Sequence, residues 1–99
     1  MEKIELVYSG KKTANKQALS GVVGSGDLEV LFNPDNKEKL SVLIKTSVDG
    51  SESRWRSLLD RIADSRSLPC GHLVIHDFGA TPGVARLRIE QVLEESDYE

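Results

Sequence analysis

Residues 22–30 read VVGSGDLEV, and a turn in the middle of this stretch separates an apolar run from an alternating one. Gly24 and Gly26 stand on either side of Ser25, and glycine allows backbone conformations that a β-carbon would prevent. Gly, Ser and Asp are also ordinary turn residues, so the triplet alone is typical of any turn between strands. The stretch predicts two strands joined by a turn whose serine hydroxyl is accessible to a large partner.

Two better-known motifs do not fit this turn. The hydrolase elbow Gly-x-Ser-x-Gly needs glycine where Val23 and Asp27 stand. The dinucleotide fingerprint Gly-x-Gly-x-x-Gly is not met either, because the glycines around Ser25 come in another order and no helical pattern follows. The turn by itself therefore assigns no chemistry.

Alternating apolar and polar residues predict three strands, and short apolar runs predict two more, one of them directly before the turn. The predicted strands cover residues 2–8, 18–23, 27–32, 40–48 and 73–75. A dense turn signal at residues 33–36 (NPDN) links the third strand to the fourth, which predicts that these two form an antiparallel hairpin.

Two segments have helical periodicity. Apolar side chains recur at helical spacing over residues 55–63, which predicts an amphipathic helix with Trp55 in the core and Ser53 as N-cap. Residues 81–95 fit a helix in which Thr81 is the cap, Pro82 is in the first turn and the buried stripe is Ala85, Ile89, Val92 and Leu93. A strand that begins near residue 84 stays open, because a helix would turn Leu87 away from that stripe.

These elements predict an α+β fold with two helices packed on one face of a mainly antiparallel sheet of about four to five strands. A chain of 99 residues has room for one modest core, so residues 1–99 are expected to form a single domain.

Composition excludes several classes of function. The net charge of −3 with interspersed signs predicts no nucleic-acid partner, and no apolar run is long enough to span a membrane. The single cysteine, Cys70, cannot form an internal disulfide, which favours a cytoplasmic protein. His72 and His76 share one face of a predicted strand and are expected at the surface, so no metal site is predicted.

Several blocks of sequence resemble one known family. They are residues 23–31 (VGSGDLEVL), 46–51 (TSVDGS) with 54–55, 75–84 (IHDFGATPGV), and 86–88 with 90–91. In this order and spacing they resemble the acyl carrier (delta) subunits of malonate decarboxylase, and the first block more distantly resembles the citrate lyase acyl carrier subunit.

The resemblance implies a non-catalytic carrier. Ser25, between Gly24 and Gly26, would hold 2′-(5″-phosphoribosyl)-3′-dephospho-coenzyme A through a phosphodiester, and the terminal thiol of that group would carry acetyl and malonyl thioesters. The implied partners are the acyltransferase subunit, the decarboxylase subunits and the transferase that attaches the group. The family implies no membrane partner and a cytoplasmic location.

Other readings remain open from the residues alone. The main alternative is a small, unmodified α+β interaction or regulatory module. A Ser25–His76–Asp77 hydrolase is disfavoured, because adjacent residues of a strand point to opposite faces. We also expect the loop at residues 77–83 to lie at the same end of the sheet as Ser25, either as a phosphate cradle or as a tight turn or docking surface. The sequence does not decide the oligomeric state, the docking surface or whether a given sample carries the group.

Overall fold

The computed structural model describes residues 2–10, 21–24, 27–35 and 37–96 of the chain. The elements in order are β1 (Glu2–Ser9), β2 (Gly21–Gly24), β3 (Leu28–Pro34), β4 (Lys39–Thr46), α1 (Glu52–Ser65), β5 (Gly71–Asp77) and α2 (Pro82–Ser96). The predicted α+β fold is confirmed, and the ambiguous segment after residue 81 is a helix. Residues 18–20 of the predicted second strand lie outside the described residues.

The five strands form one sheet in the order β1-β4-β5-β3-β2. The pairs β1–β4, β3–β5 and β2–β3 are antiparallel, whereas β4 and β5 run parallel. Helix α1 supplies the crossover that a parallel pair requires, since a short turn cannot return the chain to the start of a parallel neighbour. The sheet is therefore mainly antiparallel, as predicted, with one parallel pair near its centre.

The predicted hairpin between residues 27–32 and 40–48 is wrong. Strand β5 lies between β3 and β4 and pairs with both of them. The turn residues do reverse the chain, with the Lys37 amide donating to the Asp35 carboxylate at 3.0 Å. Turn chemistry marks a reversal and leaves the choice of partner to burial, and the apolar β5 gains most from the central position.

Both helices pack on one face of the sheet and close a single core. Inward-facing strand residues meet the stripes predicted on the helices, and the buried helical residues are Trp55, Leu59, Ile62, Ala85, Ile89, Val92 and Leu93. Leu87 is 51% exposed, which is the orientation that the helical reading required. The opposite face of the sheet carries half-buried side chains such as Leu43 and Val74, and no described helix covers it.

Several element boundaries differ from the predictions. The N-cap of α1 is Ser51 and not Ser53, and its hydroxyl donates to the Val48 carbonyl at 2.8 Å without capping the helix. Strand β4 ends at Thr46, and β5 extends two residues beyond the predicted range at each end. Boundaries shift in this way because tertiary contacts extend or shorten elements whose local signals are weak.

Gly71 shows why β5 begins where it does. A β-carbon at this position would collide with the Asn33 carbonyl and approach the ring of Phe32 within 2.9 Å. Only glycine therefore lets the backbone of β5 come this close to β3 at the start of their pairing.

We expect Ile75→Ala to reduce the free energy of unfolding by about 3 kcal/mol, because it would leave a cavity in the core next to the central strand. Ile75 is 0% exposed and belongs to the core cluster on the face of the sheet that the helices cover. The matched control is Val74→Ala on the uncovered face of the same strand, which should cost clearly less. Urea denaturation of both variants measures the difference, and equal losses would contradict a core on one face only.

Candidate functional site

The predicted attachment residue Ser25 and its neighbour Gly26 lie outside the described residues, but both flanks of the turn are described. Gly24 ends β2 and pairs with Glu29 of β3, and Leu28 begins β3. Residues 25–26 therefore join two antiparallel neighbours, as the sequence predicted, at the end of the sheet where β2 stops and β3 starts.

The loop that follows β5 leaves the sheet at this same end. Leu28 is the register partner of Asp77, and the Phe78 amide donates to the Asp27 carbonyl at 2.8 Å. The described neighbours of Ser25 thus lie beside the start of the 77–83 loop, in agreement with the expected juxtaposition. Since β4 and β5 are parallel, their carboxyl ends and the beginnings of both helices also meet here.

Asp77 organises this end of the sheet through a carboxylate that is 1% exposed. Its Oδ2 accepts a hydrogen bond from the Thr46 hydroxyl at 2.8 Å, which links the ends of the parallel strands. Its Oδ1 accepts from the amides of Gly79 and Ala80 at 3.0 and 2.9 Å. Its backbone carbonyl accepts from the Ser47 amide at 3.0 Å. Buried carboxylates are tolerated when their oxygens are satisfied in this way.

The contacts of the 77–83 loop show how the chain turns from β5 into α2. Gly79 has φ of 107°, a conformation that favours glycine, and this brings its amide onto Asp77. At the start of α2, the Val84 amide donates to the Thr81 hydroxyl at 3.3 Å, and Pro82 has no N–H to offer. Because the amides of Phe78, Gly79 and Ala80 have partners within the protein, the first half of the loop forms a tight turn out of β5. A role of residues 81–84 as a phosphate cradle or a docking surface stays a prediction.

Sequence reasoning did not single out Asp77 as a structural anchor. The available signal was an aspartate at the end of an apolar strand with small residues two and three positions later, which is the pattern of a side chain that binds its own following amides. The partner hydroxyl of Thr46 lies 31 residues away and carries no local signal.

The histidines lie on the uncovered face of the sheet, as predicted. His72 contacts Asp35 through Nε2 and Oδ2 at 2.9 Å, and His76 contacts Glu29 through Nδ1 and Oε1 at 3.4 Å. Since Asp77 faces the core and binds other groups, His76 and Asp77 do not form the relay that a Ser-His-Asp hydrolase needs. Within the described ranges, no group of three or more His, Cys, Asp or Glu side chains is placed to hold a metal ion.

Cys70 lies in the loop before β5, as predicted, and is only 5% exposed. The sequence did not indicate this burial. Its carbonyl accepts a hydrogen bond from the Asp35 amide at 3.3 Å, so the residue helps to join the loop before β5 to the one after β3. Neither helix of the described chain has the length and apolar character needed to cross a membrane.

A serine between two glycines, at the end of a sheet whose buried carboxylate Asp77 is fully hydrogen-bonded, fits a protein that presents an attached group. Comparison with known families places the chain among the acyl carrier proteins. Within that class it belongs to the malonate decarboxylase delta subunit (MdcD) family, whose model matches residues 15–96.

Curated relatives match over nearly the whole chain. The malonate decarboxylase acyl carrier protein of Klebsiella pneumoniae is 54% identical, with 97% of each chain covered. That of Stutzerimonas stutzeri is 50% identical, with 96% of each covered. Among solved structures, a chain in the crystal structure of a Pseudomonas malonate decarboxylase hetero-tetramer in complex with malonate superimposes with a TM-score of 0.85 at 45% identity. The alignment covers 96% of this chain and 98% of that one.

We expect Asp77→Ala to lower the free energy of unfolding by about 3 kcal/mol, because it leaves a buried hydroxyl and two amides without their acceptor. Asp35→Ala is the control: it removes a half-buried carboxylate that contacts the exposed His72 and accepts from the Lys37 amide in a surface turn, and should cost clearly less than Asp77→Ala. Urea denaturation measures both. If Asp77→Ala is tolerated as well as Asp35→Ala, Asp77 is not the anchor of this end of the sheet.

Proposed function

We propose that this chain is the acyl carrier subunit of a malonate decarboxylase and that Ser25 carries 2′-(5″-phosphoribosyl)-3′-dephospho-coenzyme A in phosphodiester linkage. Membership of the delta subunit family supports the carrier role. The observation that carries the assignment to Ser25 is its place in the chain, between Gly24 and Gly26 and between two paired strands at one end of the sheet.

The residues around the turn fit such a group. Glycines on both sides of Ser25 leave its hydroxyl without bulky chain neighbours. This suits access by a large transferase and the later movement of a long arm. On the β3 side, the hydrogen bond from Phe78 to the Asp27 carbonyl fixes the backbone two residues after Ser25. The turn is thereby attached to the best-anchored part of the sheet.

These features separate the role of the attached group from the role of the chain. The attached group would supply a terminal thiol for thioester chemistry. The chain itself would supply a fixed attachment point and a surface for its partners, and would catalyse neither acyl exchange nor decarboxylation. A carrier does not need a pocket of titrating side chains, and the buried Asp77 carboxylate is fully engaged in holding the loop.

The proposed partners are the acyltransferase and decarboxylase subunits and the transferase that attaches the group. A similar chain in a malonate decarboxylase hetero-tetramer supports assembly with other subunits. We further propose that the protein is cytoplasmic, forms one carrier domain over residues 1–99 and has neither nucleic-acid nor membrane partners.

Ser25→Ala should abolish attachment of the group and the activity of the reconstituted complex, while stability changes little because a turn serine contributes little to folding. Intact mass measures attachment, and urea denaturation measures folding. The matched control is Ser47→Ala, an exposed serine at the same end of the sheet, which should stay loaded.

Two outcomes would contradict the proposal. One is full decarboxylation by a complex that contains the Ser25→Ala chain. The other is an unmodified wild-type chain in an active complex isolated from the native host, which would favour the alternative of an unmodified interaction module.

Cys70→Ser should leave the loaded complex active, because the reacting thiol is proposed to belong to the arm and the Cys70 side chain is buried. A modest loss of stability is expected from placing a hydroxyl in a buried site. Activity is to be compared at equal amounts of folded, loaded protein. An inactive complex under those conditions would place the thiol chemistry at Cys70 instead of the arm.

A further inference from the structure

Strand register places basic side chains in a line with the attachment turn. On the uncovered face of the sheet, Lys3 is paired with Lys45, Lys45 with His76, His76 with Glu29, and Glu29 with Gly24. This line crosses every strand and ends one residue before Ser25. We call Lys3 and Lys45, together with the adjacent His76, the basic row.

The two lysines are an unfavourable pair as the chain stands. Like charges directly opposite each other on neighbouring strands destabilise a sheet. Neither ammonium group forms an ion pair with any residue of the described ranges, whereas the neighbouring His76 contacts the Glu29 carboxylate. Lys3 is exposed and Lys45 is half-buried, so both can reach an anion that lies on this face. An anion between the lysines would convert the repulsion into attraction.

The distance between Lys45 and the turn at Ser25 fits an anion carried on an arm better than an anion at Ser25 itself. Neighbouring strands are about 4.8 Å apart, so Lys45 lies three strands, or about 14 Å, from Gly24. The phosphodiester at Ser25 is therefore too close to the turn to meet the lysines. The diphosphate of the dephospho-coenzyme A part lies beyond two ribose rings, and it carries two phosphate groups that ammonium groups bind well.

We propose that Lys3 and Lys45, with His76 beside them, bind the diphosphate of the prosthetic arm attached to Ser25 and hold that arm against the uncovered face of the sheet. This inference rests on the proposed function. It gives the uncovered face of the parallel pair β4–β5 an occupant, whereas parallel strands are usually covered on both sides.

Glu29 is the acidic member of the line and lies between His76 and Gly24. Its carboxylate contacts His76 at 3.4 Å and is 48% exposed. In this position it repels a phosphate from the stretch next to the turn and leaves the lysines as the favourable site. The row therefore selects the distal phosphates of the arm over the proximal one.

The test is an amine-labelling footprint of wild-type protein with and without the group, at low salt. The unloaded form is the wild-type chain produced without the transferase, and intact mass verifies both states. Lys3 and Lys45 should be labelled several-fold more slowly in the loaded form. Lys39 is the internal control, because it lies on the same strand and face as Lys45 but about 20 Å away, at the other end. Its labelling should not change.

Salt and substitution give independent readouts. At about 1 M salt, where the screening length falls to about 3 Å, the protection of Lys45 should be lost. The ³¹P resonances of the arm's diphosphate, measured against free 3′-dephospho-coenzyme A, should move to the free values in Lys45→Glu. They should stay displaced in Lys39→Glu.

The outcomes separate this inference from the function on which it rests. A wild-type chain that never gains the mass of the group would overturn both. A loaded chain whose Lys45 is labelled as fast as in the unloaded form would overturn only the basic row as a binding site. Equal ³¹P changes in the Lys45→Glu and Lys39→Glu variants would do the same, because they would show an effect of net charge without a site.

Discussion

The structure depends most on the buried carboxylate of Asp77. It lies at the carboxyl end of the central strand and binds the Thr46 hydroxyl of the parallel neighbour and the first amides of the following loop. Moving a carboxylate out of water is costly unless its oxygens are satisfied, so this residue fixes the positions of everything that satisfies it. Those groups include the ends of β4 and β5 and the turn into α2. The Phe78 amide then connects this anchor to the carbonyl of Asp27, two residues after Ser25.

A second constraint is the asymmetry of the two faces. The described ranges of the chain contain two helices, and both pack on one side of the sheet. The other side therefore shows the outward residues of all strands in register. A carrier can use this arrangement well, because one face holds the fold together while the turn and the uncovered face remain available to an arm and to partner subunits. The anchor at Asp77 belongs to the covered face, and the basic row belongs to the open one.

Much of the fold was readable from local pattern. The stripes of α1 and α2, the inward residues of the strands and the cap at Thr81 follow from periodicity and side-chain chemistry, which act over a few residues. Local pattern wrongly predicted a hairpin between β3 and β4. The segment around residues 33–36 signals a reversal of the chain. The strand that pairs with β3 on this side is β5, which follows almost 40 residues later. Pairing of that kind is decided by which strand gains most from burial in the assembled sheet.

The sequence by itself indicated the family to which the protein belongs and predicted Ser25 as its attachment residue, because a family resemblance and a Gly-Ser-Gly turn are both local properties of the chain. It also determined the elements, since each helix or strand records its own buried face in its own residues. Only the tertiary structure decided the strand order, the burial of Cys70, the anchoring role of Asp77 and the alignment of Lys3 with Lys45. Each of these depends on residues that are distant in the chain and come together only in the folded protein.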